Sequence, residues 1–140
     1  MTKTIRVFEH GSVFTDFILD KTPQNVIRGN GFADLGVIIN GYEGMCKGKF
    51  GILLKPDNFV CSCIAGDIVT YGMSPYDEIT LSSVGEEKCV MTIQRELITV
   101  FGEILEPQEI IIPRRHLSPY DAMAAAAALL IGGADIKQIF

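Results

Sequence analysis

The chain has 140 residues, of which 48% are hydrophobic and 21% are charged, and its formal net charge is −5. This composition excludes a disordered chain and predicts one globular domain spanning residues 1–140. The acidic balance without a Lys/Arg run argues against nucleic-acid binding, and the longest apolar run, residues 122–131, is too short for a membrane span. Residues 1–4 lead into a strand pattern rather than a signal-peptide core, so we expect a cytoplasmic protein.

The first predicted elements are a strand, a helix and a loop. Residues 4–9 alternate as a strand should, and after a turn the apolar residues of 13–19 recur at helical spacing. Residues 20–31 are rich in Pro, Gly and Asn and predict a loop, with a short extended piece at Val26 and Ile27.

The middle of the chain predicts a series of strands. Residues 35–40 are almost continuously apolar, which is typical of a sheet interior covered on both faces. Turn-forming residues separate the later apolar segments. These segments predict strands at residues 50–54, 59–64, 68–71, 79–84, 89–95, 98–104 and 109–112.

The last long element is a helix over residues 119–131. Ser118 is a suitable cap, Pro119 fits the first helical position, and Asp121 favours the positive helix end. The helix is apolar on every side and should be buried, either against a second subunit in a homo-oligomer or by loops and the first helix of one monomer. Asp135 is expected to cap a short turn ending at Phe140.

Together these elements predict an α/β fold. We expect a single domain with a mixed, mostly β sheet, few helices and a buried C-terminal helix. The spacing of the four cysteines, Cys46, Cys61, Cys63 and Cys89, matches no metal-ligand pattern, and we expect Cys61 and Cys63 to be two small buried residues in a reduced compartment.

Two clusters of polar residues are candidate binding sites. Arg114, Arg115 and His116 precede the last helix, where unpaired backbone N–H groups attract anions, so they predict a pocket for a small anionic ligand. The alternative is a basic turn whose arginines pair with surface carboxylates.

The second cluster contains Glu9, His10 and Ser12, which follow the first strand. Open α/β sheets bind ligands beyond the carboxyl ends of their strands, so this cluster is also a predicted ligand site. Ser12 alternatively serves only to cap the helix that follows it.

Nucleotide-binding motifs are absent from the sequence. The segment at residues 44–50 has only three residues between its glycines, and Phe50 replaces the hydroxyl that a phosphate loop needs. There is no glycine-rich dinucleotide motif and no nucleophile elbow. The sequence therefore predicts no cofactor and no metal site.

Three pieces of the chain carry a family resemblance. They are the strand and turn of residues 51–58, the strand of residues 67–72 ending in Tyr71-Gly72, and Arg115-His116 followed by residues 121–125. Their order resembles the second half of the central domain of Mur ligases, the ATP-dependent amino-acid-adding enzymes of cell-wall synthesis. Glu9 sits where that family places a metal-binding glutamate.

The chain also departs from the Mur ligase pattern. It lacks the phosphate loop, the two adenine-contacting asparagines near Leu117 and Tyr120, the metal-binding histidine after Asn40, and the separate ligase domain. The resemblance therefore implies the scaffold of the family rather than its reaction.

Three functions are compatible with these features. The first is a non-catalytic module that binds a small anionic ligand or a protein partner. The second is a small enzyme with Glu9 or His10 as general base and Arg114 or Arg115 holding an anionic substrate. The third is a structural subunit of a larger complex, and the sequence leaves open whether any reaction is catalysed.

Overall fold

An eight-stranded sheet is the centre of the molecule. The structure is a computed structural model that describes residues 1–60 and 62–135. Its strands are β1 (Thr4–Phe8), β2 (Asn25–Arg28), β3 (Gly31–Ile38), β4 (Gly48–Pro56), β5 (Ile64–Tyr71), β6 (Ile79–Val84), β7 (Lys88–Ile93), β8 (Leu97–Ile98), β9 (Ile104–Leu105) and β10 (Gln108–Pro113), and its helices are α1 (Val13–Leu19) and α2 (Pro119–Ile131).

The sheet is mostly parallel. Its order is β10-β7-β6-β5-β4-β3-β1-β2, and β8 pairs with β9 in a separate hairpin. All pairs from β2 to β6 are parallel, whereas β7 runs antiparallel to both β6 and β10. The predicted α/β domain with a mixed sheet and few helices is therefore confirmed. We call the residues that directly follow β1, β3, β4 and β5 the carboxyl edge, and the starts of β3, β4 and β5 the amino edge.

Helix α2 lies against one face of the sheet. Every residue from 122 to 131 is buried within the single chain, and the helix contacts α1, β3, β6 and β10. Its alanines let the helix approach the sheet closely, while each buried large side chain at its end contributes about 1.5–3 kcal/mol. The prediction of a buried C-terminal helix is confirmed, and one monomer is sufficient to bury it.

The other face of the sheet is covered by loops. Residues 39–47, 57–60 and 62–63 lie there in place of helices, and side chains among them pack on a small second cluster of buried residues. This cluster comprises Phe8, Ile38, Cys46, Phe50 and Leu53.

Two strand predictions were wrong. Of the described residues in the predicted strand 59–64, only Ile64 lies in a strand, because Lys55 Nζ donates to the carbonyl oxygens of Pro56 and Phe59 and holds a turn there. The predicted strand at 98–104 is a hairpin, because Thr99 Oγ1 accepts from the amides of Phe101 and Glu103.

Other predictions from the sequence have different outcomes. The extended piece at Val26 and Ile27 is confirmed as part of β2. The turn predicted from Asp135 to Phe140 lies beyond the described residues. Within residues 1–60 and 62–135, no helix combines the length and apolar composition that a membrane span requires.

Candidate functional site

Glu9 directly follows β1 and caps helix α1. Its carboxylate accepts hydrogen bonds from the Phe14 amide at 3.3 Å, the Thr15 amide at 2.8 Å and the Thr15 hydroxyl at 2.5 Å. These contacts satisfy amide groups that a helix start leaves without intrahelical partners. The Glu9 side chain therefore has a structural task at the site where the sequence predicted a ligand.

His10 lies against the loop that follows β3. Its Nε2 accepts a hydrogen bond from the Glu43 amide at 2.8 Å, and its ring stacks on Tyr42 with centroids 4.8 Å apart. Tyr42 also contacts the edge of the Phe8 ring. An exposed imidazole and a half-buried phenol thus form a flat aromatic surface beside the carboxyl edge.

The Arg114–His116 turn is held by contacts of its own. The Arg114 guanidinium donates to the Gly85 carbonyl at 2.9 Å, and its backbone amide donates to Glu87. Arg115 has a backbone φ of 55°, a left-handed conformation that is strained for this residue type. The ring of His116 meets the edge of Phe17 on α1.

The structure does not join the two predicted clusters. Within the described ranges, no hydrogen bond or ion pair connects Glu9, His10 or Ser12 with residues 114–116. The link between the two helix starts is electrostatic and involves a different residue. The Glu9 carboxylate raises the pKa of Asp121 in the first turn of α2, an effect second to that of burial.

A pair of carboxylates missed by the sequence reasoning lies farther along the carboxyl edge. Asp57 follows β4 and Asp77 follows β5, and both face Gly72. A Cβ atom at Gly72 would lie 2.6 Å from Asp77 Oδ2 and 3.2 Å from Asp57 Oδ2, so a side chain at this position would require the carboxylates to move. Asp77 is 3% exposed and its Oδ2 accepts from the Ser74 amide at 3.0 Å.

The environment of this pair disfavours a second negative charge. Burial raises the pKa of Asp77, the Ser74 amide opposes this effect, and the Asp57 charge adds to it. Both residues stand in segments that the sequence assigned to ordinary turns. The available signal was their position, because each segment follows an apolar strand at the edge where α/β sheets place ligand-binding groups.

Tyr71 interacts both with the end of β3 and with Asp121 at the start of α2. Its ring is fully buried at the end of β5, and its hydroxyl donates to the Ile38 carbonyl at 2.6 Å across β4. Burial, and then the charge of Asp121, raise the pKa of Tyr71. The strands β1 and β5 are three strand spacings apart, roughly 14 Å, so Glu9 and Gly72 mark the two sides of one acidic strip.

We call this strip the acidic edge, and it has four carboxylates. The described residues contain no group of three or more His, Cys, Asp or Glu side chains arranged to hold a metal ion. The members of the acidic edge are Glu9, Asp57, Asp77 and Asp121.

A groove lies at the opposite, amino edge of the strands. It has a volume of about 690 Å³, and its rim includes Phe32, which is 75% exposed, and Ile64, which is 66% exposed. Asp34 and Lys49 add one charge of each sign. This groove is apolar and open, in contrast to the acidic edge.

No protein-family model, curated protein or solved structure matches this chain.

Proposed function

We propose that this chain is a non-catalytic α/β binding module that holds a small polar ligand at the acidic edge, on a scaffold similar to part of the Mur ligase central domain. One observation carries the proposal. The three pieces of sequence that resemble that family are scattered over residues 51–125, yet their ends meet at this one edge. They contribute Asp57 after β4, Gly72 after β5 and Asp121 at the start of α2.

The contacts of the candidate bases support binding rather than catalysis. The Glu9 carboxylate accepts three hydrogen bonds within the fold, and His10 Nε2 accepts one from the backbone. A general base needs a lone pair directed at a substrate proton. The small-enzyme alternative, with Arg114 or Arg115 as the anion holder, stays a prediction, as does the cytoplasmic location.

The charge of the site favours a particular kind of ligand. Four carboxylates repel an anion, whereas a ligand with a positive charge or several N–H donors gains charge-assisted hydrogen bonds. The stacked pair of His10 and Tyr42 offers a surface for a planar group. The binding of a small anionic ligand at the Arg114–His116 turn, which the sequence predicted, stays a prediction.

Titration followed by amide NMR tests this proposal. The probes are the planar cation benzamidine, magnesium ion and inorganic phosphate. We expect benzamidine to shift the amide signals of Gly72, Ser74 and Glu43 in a saturable way. Asp57→Asn and Asp77→Asn should weaken its binding at least several-fold, while the matched control Asp16→Asn, an exposed acidic residue on α1, should not.

Other outcomes of the titration contradict the proposal. Saturable phosphate binding that is lost in Arg115→Gly would move the site to the Arg114–His116 turn. Benzamidine shifts that persist unchanged in both aspartate variants would show that the carboxylate pair does not bind the cation. Shifts confined to the amino edge would assign the ligand to the apolar groove.

The amino edge favours a second function, self-association. Phe32 and Ile64 are large apolar side chains left exposed, and such patches mark interaction sites. The groove carries both Asp34 and Lys49, and a two-fold pairing of two copies allows each lysine to lie opposite the other copy's aspartate. In this second proposal, the homo-oligomer predicted from the sequence forms through the amino edge rather than through α2.

Light scattering coupled to size-exclusion chromatography tests this second function. We expect a dimer mass at micromolar concentration that becomes a monomer mass in Phe32→Ser and in Ile64→Ser. The control is Ile111→Ser, which removes a side chain of similar exposure, 61%, from the edge strand β10. A monomer at all concentrations would exclude the dimer, and loss of the dimer in the control would place the interface at β10.

A further inference from the structure

Two cysteines from different loops meet on the loop-covered face of the sheet. Cys46 belongs to the connection between β3 and β4, and Cys63 directly precedes β5. Their Sγ atoms are 2.8 Å apart, and Cys63 Sγ also lies 3.3 Å from the Cys46 carbonyl oxygen. Cys46 is 6% exposed and Cys63 is half-buried, so a reagent in solution reaches Cys63 first.

The separation of the two sulfurs is close to that of a bond. A disulfide has an S–S length of about 2.05 Å, so less than about 1 Å of movement closes the pair. Both residues lie outside the strands, and loop backbone adjusts to such a movement more easily than a hydrogen-bonded sheet. The two residues are 17 positions apart in sequence, so a bond between them closes a substantial loop.

We propose that Cys46 and Cys63 form a reversible disulfide, a staple that joins the loop after β3 to the residue directly before β5. The oxidant is a small-molecule disulfide such as oxidised glutathione. The Cys63 thiolate attacks one sulfur of that disulfide and releases the other half as a thiol. The Cys46 thiolate then displaces the attached half. The two protein thiols lose two protons and two electrons in total, and the small disulfide leaves as two thiols.

The staple acts on a loop that also carries the aromatic surface of the acidic edge. Tyr42 is four residues before Cys46, and its hydroxyl donates to the Met45 carbonyl at 3.2 Å. Oxidation therefore restrains the segment on which His10 stacks. Any effect of the staple on ligand binding rests on the proposed function, whereas formation of the disulfide does not.

Thiol counting and melting of the full chain test the staple. Reduced protein with four cysteines is incubated with oxidised glutathione, and its thiols are titrated under denaturing conditions. We expect two thiols to remain, and Tm to rise by about 5–10 °C until dithiothreitol reverses the change. In Cys46→Ser and Cys63→Ser, oxidised glutathione should cause no rise in Tm that dithiothreitol reverses.

Matched variants identify the bonded pair. Cys89→Ser removes a buried cysteine of β7, and Cys61→Ser removes the cysteine two positions before Cys63. Both variants should still show the rise in Tm on oxidation. In Cys61→Ser, tryptic peptide 29–47 should be joined to peptide 50–88, which assigns the bond to Cys46 and Cys63.

Three results would overturn the staple. These are four thiols after oxidation, a bond that requires Cys61 or Cys89, and glutathione attached to Cys63 as the only product. If a serine variant does not fold by circular dichroism, the alanine variant replaces it, because alanine suits an apolar cluster better. Unchanged benzamidine affinity in the stapled protein would leave the disulfide intact and remove only its link to the acidic edge.

Discussion

The two helices of this protein begin differently, although each follows a serine. At α2, the Ser118 hydroxyl oxygen accepts a hydrogen bond from the Asp121 amide at 3.1 Å. At α1, the side chain of Ser12 makes no such bond, and the carboxylate of Glu9 accepts from the first-turn amides instead. The residue that caps a helix is thus the one whose acceptor the preceding chain places near the first-turn amides. At α1 this residue is Glu9, because strand β1 ends directly before it.

Each helix start already has a carboxylate of the chain at its positive end. The positive end of a helix dipole is worth only about 0.3–1 kcal/mol to a nearby negative charge. Glu9 already supplies that charge at α1, and Asp121 supplies it at α2. Burial, and then the charge of Glu9, raise the pKa of Asp121, so the carboxylates at the two helix starts interact with each other.

The largest expected effect in this comparison comes from Glu9→Ala. The variant leaves the amides of Phe14 and Thr15 without their acceptor, and each unsatisfied, partly buried amide costs about 1–3 kcal/mol. We expect the free energy of unfolding to fall by about 2–3 kcal/mol in urea denaturation. Glu9→Gln is the control and should lose less, because its amide oxygen still accepts. Equal losses in both variants would mean that the charge, rather than the cap, is what α1 needs.

Ser118→Ala should have the next largest effect. It removes the hydroxyl that caps α2 and should lower the free energy of unfolding by about 1 kcal/mol in the same experiment. Ser118→Asp keeps an acceptor at this position and is the matched control. A loss below about 0.3 kcal/mol in Ser118→Ala would contradict the cap, since that is within the range of ordinary surface substitutions.

Asp121→Asn should have a smaller effect that depends on pH. Burial and Glu9 raise the pKa of Asp121, so the folded state binds the proton more tightly than the unfolded state does. Stability contributed by this group is complete below its unfolded pKa, about 3.9, and declines as pH rises through the raised folded value. In Asp121→Asn this decline is absent, so the variant should gain in Tm relative to wild type between pH 3 and pH 7. A Tm difference that shrinks over this range would contradict the raised pKa.

Much of the fold was predictable because the patterns that specify it are local. The capping residues of α2, its apolar surface and the alternation in β1 each arise within a few neighbouring residues. The two strand predictions that were wrong concern segments whose structure depends on particular side-chain hydrogen bonds, which a local pattern does not show. The hairpin at Thr99 depends on one hydroxyl accepting two amides, and the loop before Ile64 depends on the reach of Lys55.

The acidic edge was only partly predictable for the same reason. Glu9 and His10 were identified because they follow the first strand directly. Asp57 and Asp77 are 20 positions apart and meet only because β4 and β5 are parallel neighbours that end at one edge. Strand order, which a single sequence does not encode locally, decides which turns share a site.

The smallest expected effect is that of Ser12→Ala, and it tests the comparison of the two helix starts most directly. The sequence offered Ser12 both as a ligand-site residue and as a cap, while the structure shows no side-chain cap bond. We expect the free energy of unfolding to change by less than about 0.3 kcal/mol, against about 1 kcal/mol for Ser118→Ala. The double variant with Glu9→Ala separates the two explanations. If Ser12 replaces the lost carboxylate as a cap, the double variant will be less stable than the sum of the single losses predicts. If the losses simply add, Glu9 alone holds the start of α1.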